Sequence, residues 1–150
     1  MSLRCQVCSW ENLEPAETET QNWESTPIVV GVDLIEITRV KRVLTRYGDR
    51  FLARVFTPAE IRYCRGRLPE LAVRFAAKEA VSKALGVGMR IIARDGIDWR
   101  DVEVIGDRRG KPLVHLYGRA AERANVLGLT EWAISLSHTQ EHAIAFVVAQ

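Results

Sequence analysis

From Glu70 to Leu85 the chain carries five alanines, Ala72, Ala76, Ala77, Ala80 and Ala84, with Pro69 just before the run and Gly86 just after it. Alanine is the strongest helix former, and a proline ahead with a glycine behind are the usual start and stop signals. The run therefore predicts a helix of about four turns, the long element on which the rest of the fold must pack. Arg74, Lys78, Glu79 and Lys83 interrupt its otherwise apolar surface. Glu79 and Lys83 lie four residues apart and share a face, as do Arg74 and Lys78. Such pairs are either surface contacts worth about 0.2–0.5 kcal/mol each or the charged part of a site.

With 150 residues, 47% of them apolar, the chain has material for one hydrophobic core and not for two full domains. Ile28 to Leu34 is rich in β-branched residues and reads as a buried strand whose end carries Asp33. From Glu36 to Tyr47 the period becomes helical. At about 100° per residue, Ile37, Val40, Leu44 and Tyr47 share one face, while Arg39, Arg42 and Arg46 gather within roughly a 60° arc on another. Thr57-Pro58-Ala59-Glu60 is a capping-box helix start with proline at the first helical position. Further strands are expected at Val102–Ile105 and Leu113–Tyr117 around a turn at Asp107–Gly110, and a helix at Arg119–Leu127. A terminal hairpin pairs Glu131–Ser137 with Ala143–Ala149. Helices come mainly before strands, so the expected fold class is α+β, an antiparallel sheet packed on the long helix.

Residues 9–27 are polar, acidic and without either hydrophobic period, so residues 1–27 read as a flexible acidic extension and residues 28–150 as the domain. Residues 1–26 hold Arg4 against five glutamates; the remaining 20 bases and 14 acids give the rest of the chain a net charge of +6. That surface favours an anionic partner: a phosphate, a nucleic acid or an acidic protein. No apolar run reaches the length of a membrane span, and the amino terminus has no secretory pattern, so a cytoplasmic protein without a membrane partner is expected. Three cysteines, Cys5, Cys8 and Cys64, fit a reducing compartment. Cys5 and Cys8 supply at most half of a four-ligand zinc site.

Two segments place charge where a fold does not need it. Asp33 follows a run of apolar residues, where a carboxylate is costly to bury unless it caps a helix, pairs or binds a cation. Glu79 interrupts the long helix. Two carboxylates from separate elements suit Mg²⁺, which takes oxygen ligands and shares its shell with substrate phosphates, and nearby Arg and Lys would bind the remaining phosphate charge. His138, in Ser135-Leu136-Ser137-His138-Thr139, is either an exposed turn residue or a phosphate ligand beside hydroxyls. The basic turn Arg108-Arg109-Gly110-Lys111-Pro112 is equally a solvated loop or an anion site.

Together these segments resemble the holo-acyl-carrier-protein synthase family of 4′-phosphopantetheinyl transferases, of the short trimeric bacterial type, over residues 28–149. Gly31-Val32-Asp33-Leu34-Ile35-Glu36-Ile37 is similar to the family's first motif and Arg74-Phe75-Ala76-Ala77-Lys78-Glu79-Ala80-Val81-Ser82-Lys83-Ala84-Leu85-Gly86 to its second. Gly110-Lys111-Pro112 and the Ser135–Thr139 segment are similar to two further ones, in the same order. The resemblance implies the 4′-phosphopantetheinyl transferase fold and transfer of phosphopantetheine from coenzyme A to a serine of an apo acyl carrier protein, in fatty acid biosynthesis. It implies that Asp33 and Glu79 hold Mg²⁺ and that Asp33, Glu79 and Lys83 are catalytic. Arg74, Lys83, Lys111, Ser137, His138 and Thr139 match positions around the cofactor's phosphates, and Arg39, Arg42 and Arg46 the docking helix for the acidic carrier. The serine proton goes either to a water held by a carboxylate or to Glu79. A homotrimer with clefts between subunits is also implied. The competing classes are a Mg²⁺-dependent phosphodiesterase or nuclease and a non-catalytic basic module for nucleic acid. The few, scattered aromatic residues argue against the second, and no nucleic-acid partner is expected.

Overall fold

The computed structural model describes residues 28–89 and 96–150, and these form five strands and five α-helices. The order is β1 (Val29–Glu36), α1 (Ile37–Tyr47), α2 (Asp49–Val55), α3 (Pro58–Cys64) and α4 (Leu68–Ala84). After a 3₁₀ turn (Trp99–Asp101) follow β2 (Val102–Gly106), β3 (Pro112–Leu116), α5 (Gly118–Val126), β4 (Trp132–His138) and β5 (His142–Ala149). The acidic extension and its two cysteines lie outside the described residues.

β5 is the centre of a three-stranded antiparallel sheet, β1-β5-β4, and α4 packs across one face of it. The residues that meet there are small: Ala76, Ala77, Ala80 and Ala84 on the helix, Ala143 and Ala145 on β5. Short side chains let helix and sheet approach closely, and Gly31 on β1 marks the limit. A Cβ on Gly31 would stand 1.9 Å from the Ala80 carbonyl oxygen, so any side chain there would drive β1 off α4.

The expected α+β class holds, with four departures. β1 is not buried on both faces. Gly31 and Ile35 face α4, while Val30, Val32 and Leu34 are exposed, because among the described residues only one face of the sheet is covered. The strands are divided between two sheets: β2 and β3 form their own hairpin, tied to α4 by side chains rather than to β4 by backbone ladder bonds. α4 starts at Leu68 and takes Pro69 into its first turn. α2 has no counterpart among the expected elements, although Phe51, Leu52 and Val55 have helical spacing and pack on or within the core. The Thr57 capping box is present as expected, Thr57 Oγ1 accepting from the Glu60 amide at 3.2 Å and Glu60 from the Thr57 amide at 2.9 Å.

Candidate active site

The close approach at Gly31 brings the polar part of β1 against α4. Two residues after the glycine, Asp33 receives a hydrogen bond from Lys83 Nζ at 2.8 Å on Oδ1; the same ammonium donates to the Val32 carbonyl at 2.9 Å. Glu79 sits one turn earlier on α4, half-buried, on the face it shares with Lys83. Its carboxyl is held above the usual 4.5, first because burial penalises the charge and second because Asp33 is a like charge beside it; Lys83 and Arg39 partly oppose that rise. Residues some 50 positions apart in the chain thus form one cluster.

The cluster opens onto a cavity of about 600 Å³. Asp33, Glu79, Arg39, Arg50 and Arg54 supply its charged lining. Its walls are apolar, among them Val40, Phe51, Phe75 and Trp99. Phe75 and Trp99 stack with ring centroids 4.6 Å apart. Among the described residues the buried indole N–H of Trp99 has no hydrogen-bond partner. Of the three arginines expected to act together on α1, Arg39 lines this cavity; Arg42 and Arg46 are exposed on the same helix outside the lining, and Arg46 lies 5.2 Å from the Tyr47 ring centroid. Arg50 and Arg54 complete the basic rim from α2. Their spacing of four residues is a signal that carries meaning only once the segment is known to be helical.

Arg74 and His138 lie elsewhere. They share a second cavity of about 360 Å³ with Tyr63, Glu70, Ser135 and Pro112. Arg74 is almost fully buried and largely committed: Nε donates to the Val104 carbonyl at 3.1 Å, Nη1 to the Glu70 carboxylate at 2.7 Å, and the guanidinium lies over the Tyr63 ring at 4.5 Å. Ser137, Thr139 and Lys111 are exposed near this cavity without lining it. The Thr139 hydroxyl shapes the hairpin turn, accepting from the amides of Glu141 and His142 at 3.2 and 3.1 Å. Lys111 belongs to a turn closed by Asp107, which accepts its amide at 2.9 Å.

Lys78 turns away from both cavities. Its ammonium is fully buried, paired with Glu60 at 2.8 Å, and donates to the carbonyls of Trp99, at 3.0 Å, and Val102. Burial lowers its pKa, with Glu60 acting against that shift. It is a tie among α3, α4 and β2 rather than a phosphate ligand.

Asp33 and Glu79 suit a Mg²⁺ ion. That ion commonly binds one or two carboxylates and completes its shell with water and phosphate oxygens, and a divalent cation would offset both the burial of Glu79's charge and the repulsion from Asp33 that together hold its carboxyl up. Among the described residues there is no cluster of three or more metal-ligating side chains, so the pair suits an ion shared with substrate rather than an all-protein cage.

A sequence profile described as the 4′-phosphopantetheinyl transferase superfamily matches residues 29–147. A holo-[acyl-carrier-protein] synthase of Herpetosiphon aurantiacus is 51% identical over 123 residues, 81% of this chain and 97% of that protein. One from Dehalococcoides mccartyi is 46% identical over 123 residues, covering 82% and 98% of the two chains. Among solved structures, Helicobacter pylori holo-[acyl-carrier-protein] synthase in complex with coenzyme A superposes with a TM-score of 0.71 at 30% identity, covering 81% of this chain and 99% of that one. Fold and relatives converge: the chain belongs to the holo-[acyl-carrier-protein] synthases of the 4′-phosphopantetheinyl transferase superfamily.

Proposed function

We propose that this chain transfers the 4′-phosphopantetheine group of coenzyme A to a serine hydroxyl of an apo acyl carrier protein. The observation that carries the reading is the meeting of Asp33 and Glu79 at a cleft with a basic rim, with Lys83 bonded to Asp33. Asp33 and Glu79 hold Mg²⁺, which when bound neutralises diphosphate oxygens while charge grows on the leaving group. The serine oxygen forms a bond to the β-phosphorus as the bond to the bridging oxygen breaks, and 3′,5′-ADP leaves with that oxygen. Little covalent work falls to the protein, so alignment and charge stabilisation dominate. Lys83 steadies the leaving phosphate, and the serine proton passes to a water held by a carboxylate or to Glu79 itself. Arg39, with Arg42, Arg46 and the additional Arg50 and Arg54, offers an acidic carrier a complementary surface that speeds and orients encounter.

The working form is a homotrimer, and two features support it. Val30, Val32 and Leu34 on β1 are 59%, 49% and 61% exposed, and Phe146 and Ile144, partners of the last two on β5, are 45% and 39% exposed. One continuous apolar sheet face of this kind calls for a cover. In addition, Arg74, Ser135 and His138 lie in a different cavity from Asp33 and Glu79, so one protomer holds two half-sites that a head-to-tail ring of copies would join. We assign the transferase domain to residues 28–150 and the protein to the cytoplasm, in fatty acid biosynthesis.

Incubation with coenzyme A, Mg²⁺ and an apo carrier protein tests the reading. Mass spectrometry should find the carrier heavier by one phosphopantetheine, Asp33→Asn should abolish the gain, and Lys83→Met should lower kcat by about 10²-fold. A carrier of unchanged mass across fatty-acid and polyketide carriers would overturn it.

A further inference from the structure

Asp33 offers one carboxylate to two cations. Lys83 Nζ holds its Oδ1 at 2.8 Å and the neighbouring Val32 carbonyl at 2.9 Å. The aspartate side chain is 18% exposed and the lysine 51%, so the lysine sits on the solvent side of the pair, with a flexible stem free to swing outward. An ion pair that open to water is a weak restraint. A divalent ion bridging Asp33 and Glu79 would meet the ammonium as a like charge next to the same oxygen, and the two cannot both bond it at full strength.

We propose that Lys83 is a competing cation at the Asp33–Glu79 pair: metal entry takes Asp33 from it and frees its ammonium for the diphosphate of coenzyme A. This rests on Asp33 and Glu79 being the metal's ligands and adds a consequence that a purely phosphate-binding lysine would not have. Lys83 holds the metal affinity of the free enzyme below what two carboxylates alone would give. Coenzyme A, by drawing the ammonium onto its phosphates, raises that affinity, and by linkage the metal raises the affinity for coenzyme A. The site is thereby biased toward filling with metal and cofactor together.

Titration of the full chain with Mn²⁺, followed by electron paramagnetic resonance without coenzyme A, tests the idea on binding rather than turnover. Lys83→Met should bind Mn²⁺ about three- to tenfold more tightly than the wild type, Lys83→Arg should bind like the wild type, and Asp33→Asn should lose the site. The gap between wild type and Lys83→Met should narrow as salt rises. Equal or weaker binding by Lys83→Met, with wild-type binding that still depends on Asp33, would overturn the competition and leave the metal reading standing. Binding in none of the four proteins, or binding indifferent to Asp33→Asn, would overturn the metal reading and this inference with it.

Discussion

Ionising Glu79 is unfavourable for reasons the fold creates: α4 holds the side chain half-buried, and β1 sets Asp33's charge beside it. The folded chain therefore retains the Glu79 proton above pH 4.5, where the unfolded chain has released it. Folding binds a proton across the window from 4.5 up to the raised value, so this group's contribution makes stability fall as pH rises through that window. Glu79→Gln removes the effect. In buffer with a chelator the variant should melt above the wild type at neutral pH, and the difference should shrink as pH drops below 4.5. Thermal denaturation across that range checks it, and a variant that melts lower at neutral pH would contradict it. Gain of stability with loss of transferase activity is the pattern expected where a site holds charge against the interest of the fold.

Elements are more legible in the sequence than their junctions. The capping box at Thr57 and the Pro69 and Gly86 signals place α3 and α4 within a residue or two, because capping is decided by neighbours in the chain. The Asp33 and Glu79 segments stand out because a carboxylate interrupting an apolar run has few cheap explanations. What the sequence hides is tertiary. Helical spacing puts Arg74 and Lys78 on one face, and nothing local says that this face meets the Val104 and Val102 carbonyls instead of a phosphate. The Lys78 junction supplies a test at this scale. Glu60 joins it to the Thr57 amide and, at 2.9 Å, to the Val104 amide, so one buried ion pair fastens α3, α4 and β2. Lys78→Met would strand the Glu60 charge in the core and should cost about 3–5 kcal/mol in urea unfolding. Adding Glu60→Gln should recover part of the loss, since the amide oxygen can still accept from Val104 while the unpaired charge is gone. No recovery in the double variant would mean that Glu60 acts mainly as the helix cap.

At the scale of the whole molecule the sheet has one face on α4 and, among the described residues, one bare. Charges guard most exposed sheets, yet here Val32 pairs with Phe146 and Leu34 with Ile144, apolar side chains opposite each other on the open side. Asp33, on the opposite side of the same strand, is two residues from Gly31 and lines the cleft. The surface that would assemble the protein and the carboxylate that would hold its metal are therefore two faces of β1. This gives assembly a separate handle from folding. Phe146→Glu places a charge on the bare face, where the protomer's own core does not need the ring. The variant should keep its far-ultraviolet circular dichroism and elute with the mass of one chain in light scattering, where the proposed assembly predicts the mass of three for the wild type. Its transferase activity should fall with the mass under the proposed joining of one copy's Arg74 and His138 cavity to another's Asp33 and Glu79. A single-chain variant that retains full activity would show that one protomer's two cavities work apart, and the division of the site between them would no longer argue for a trimer.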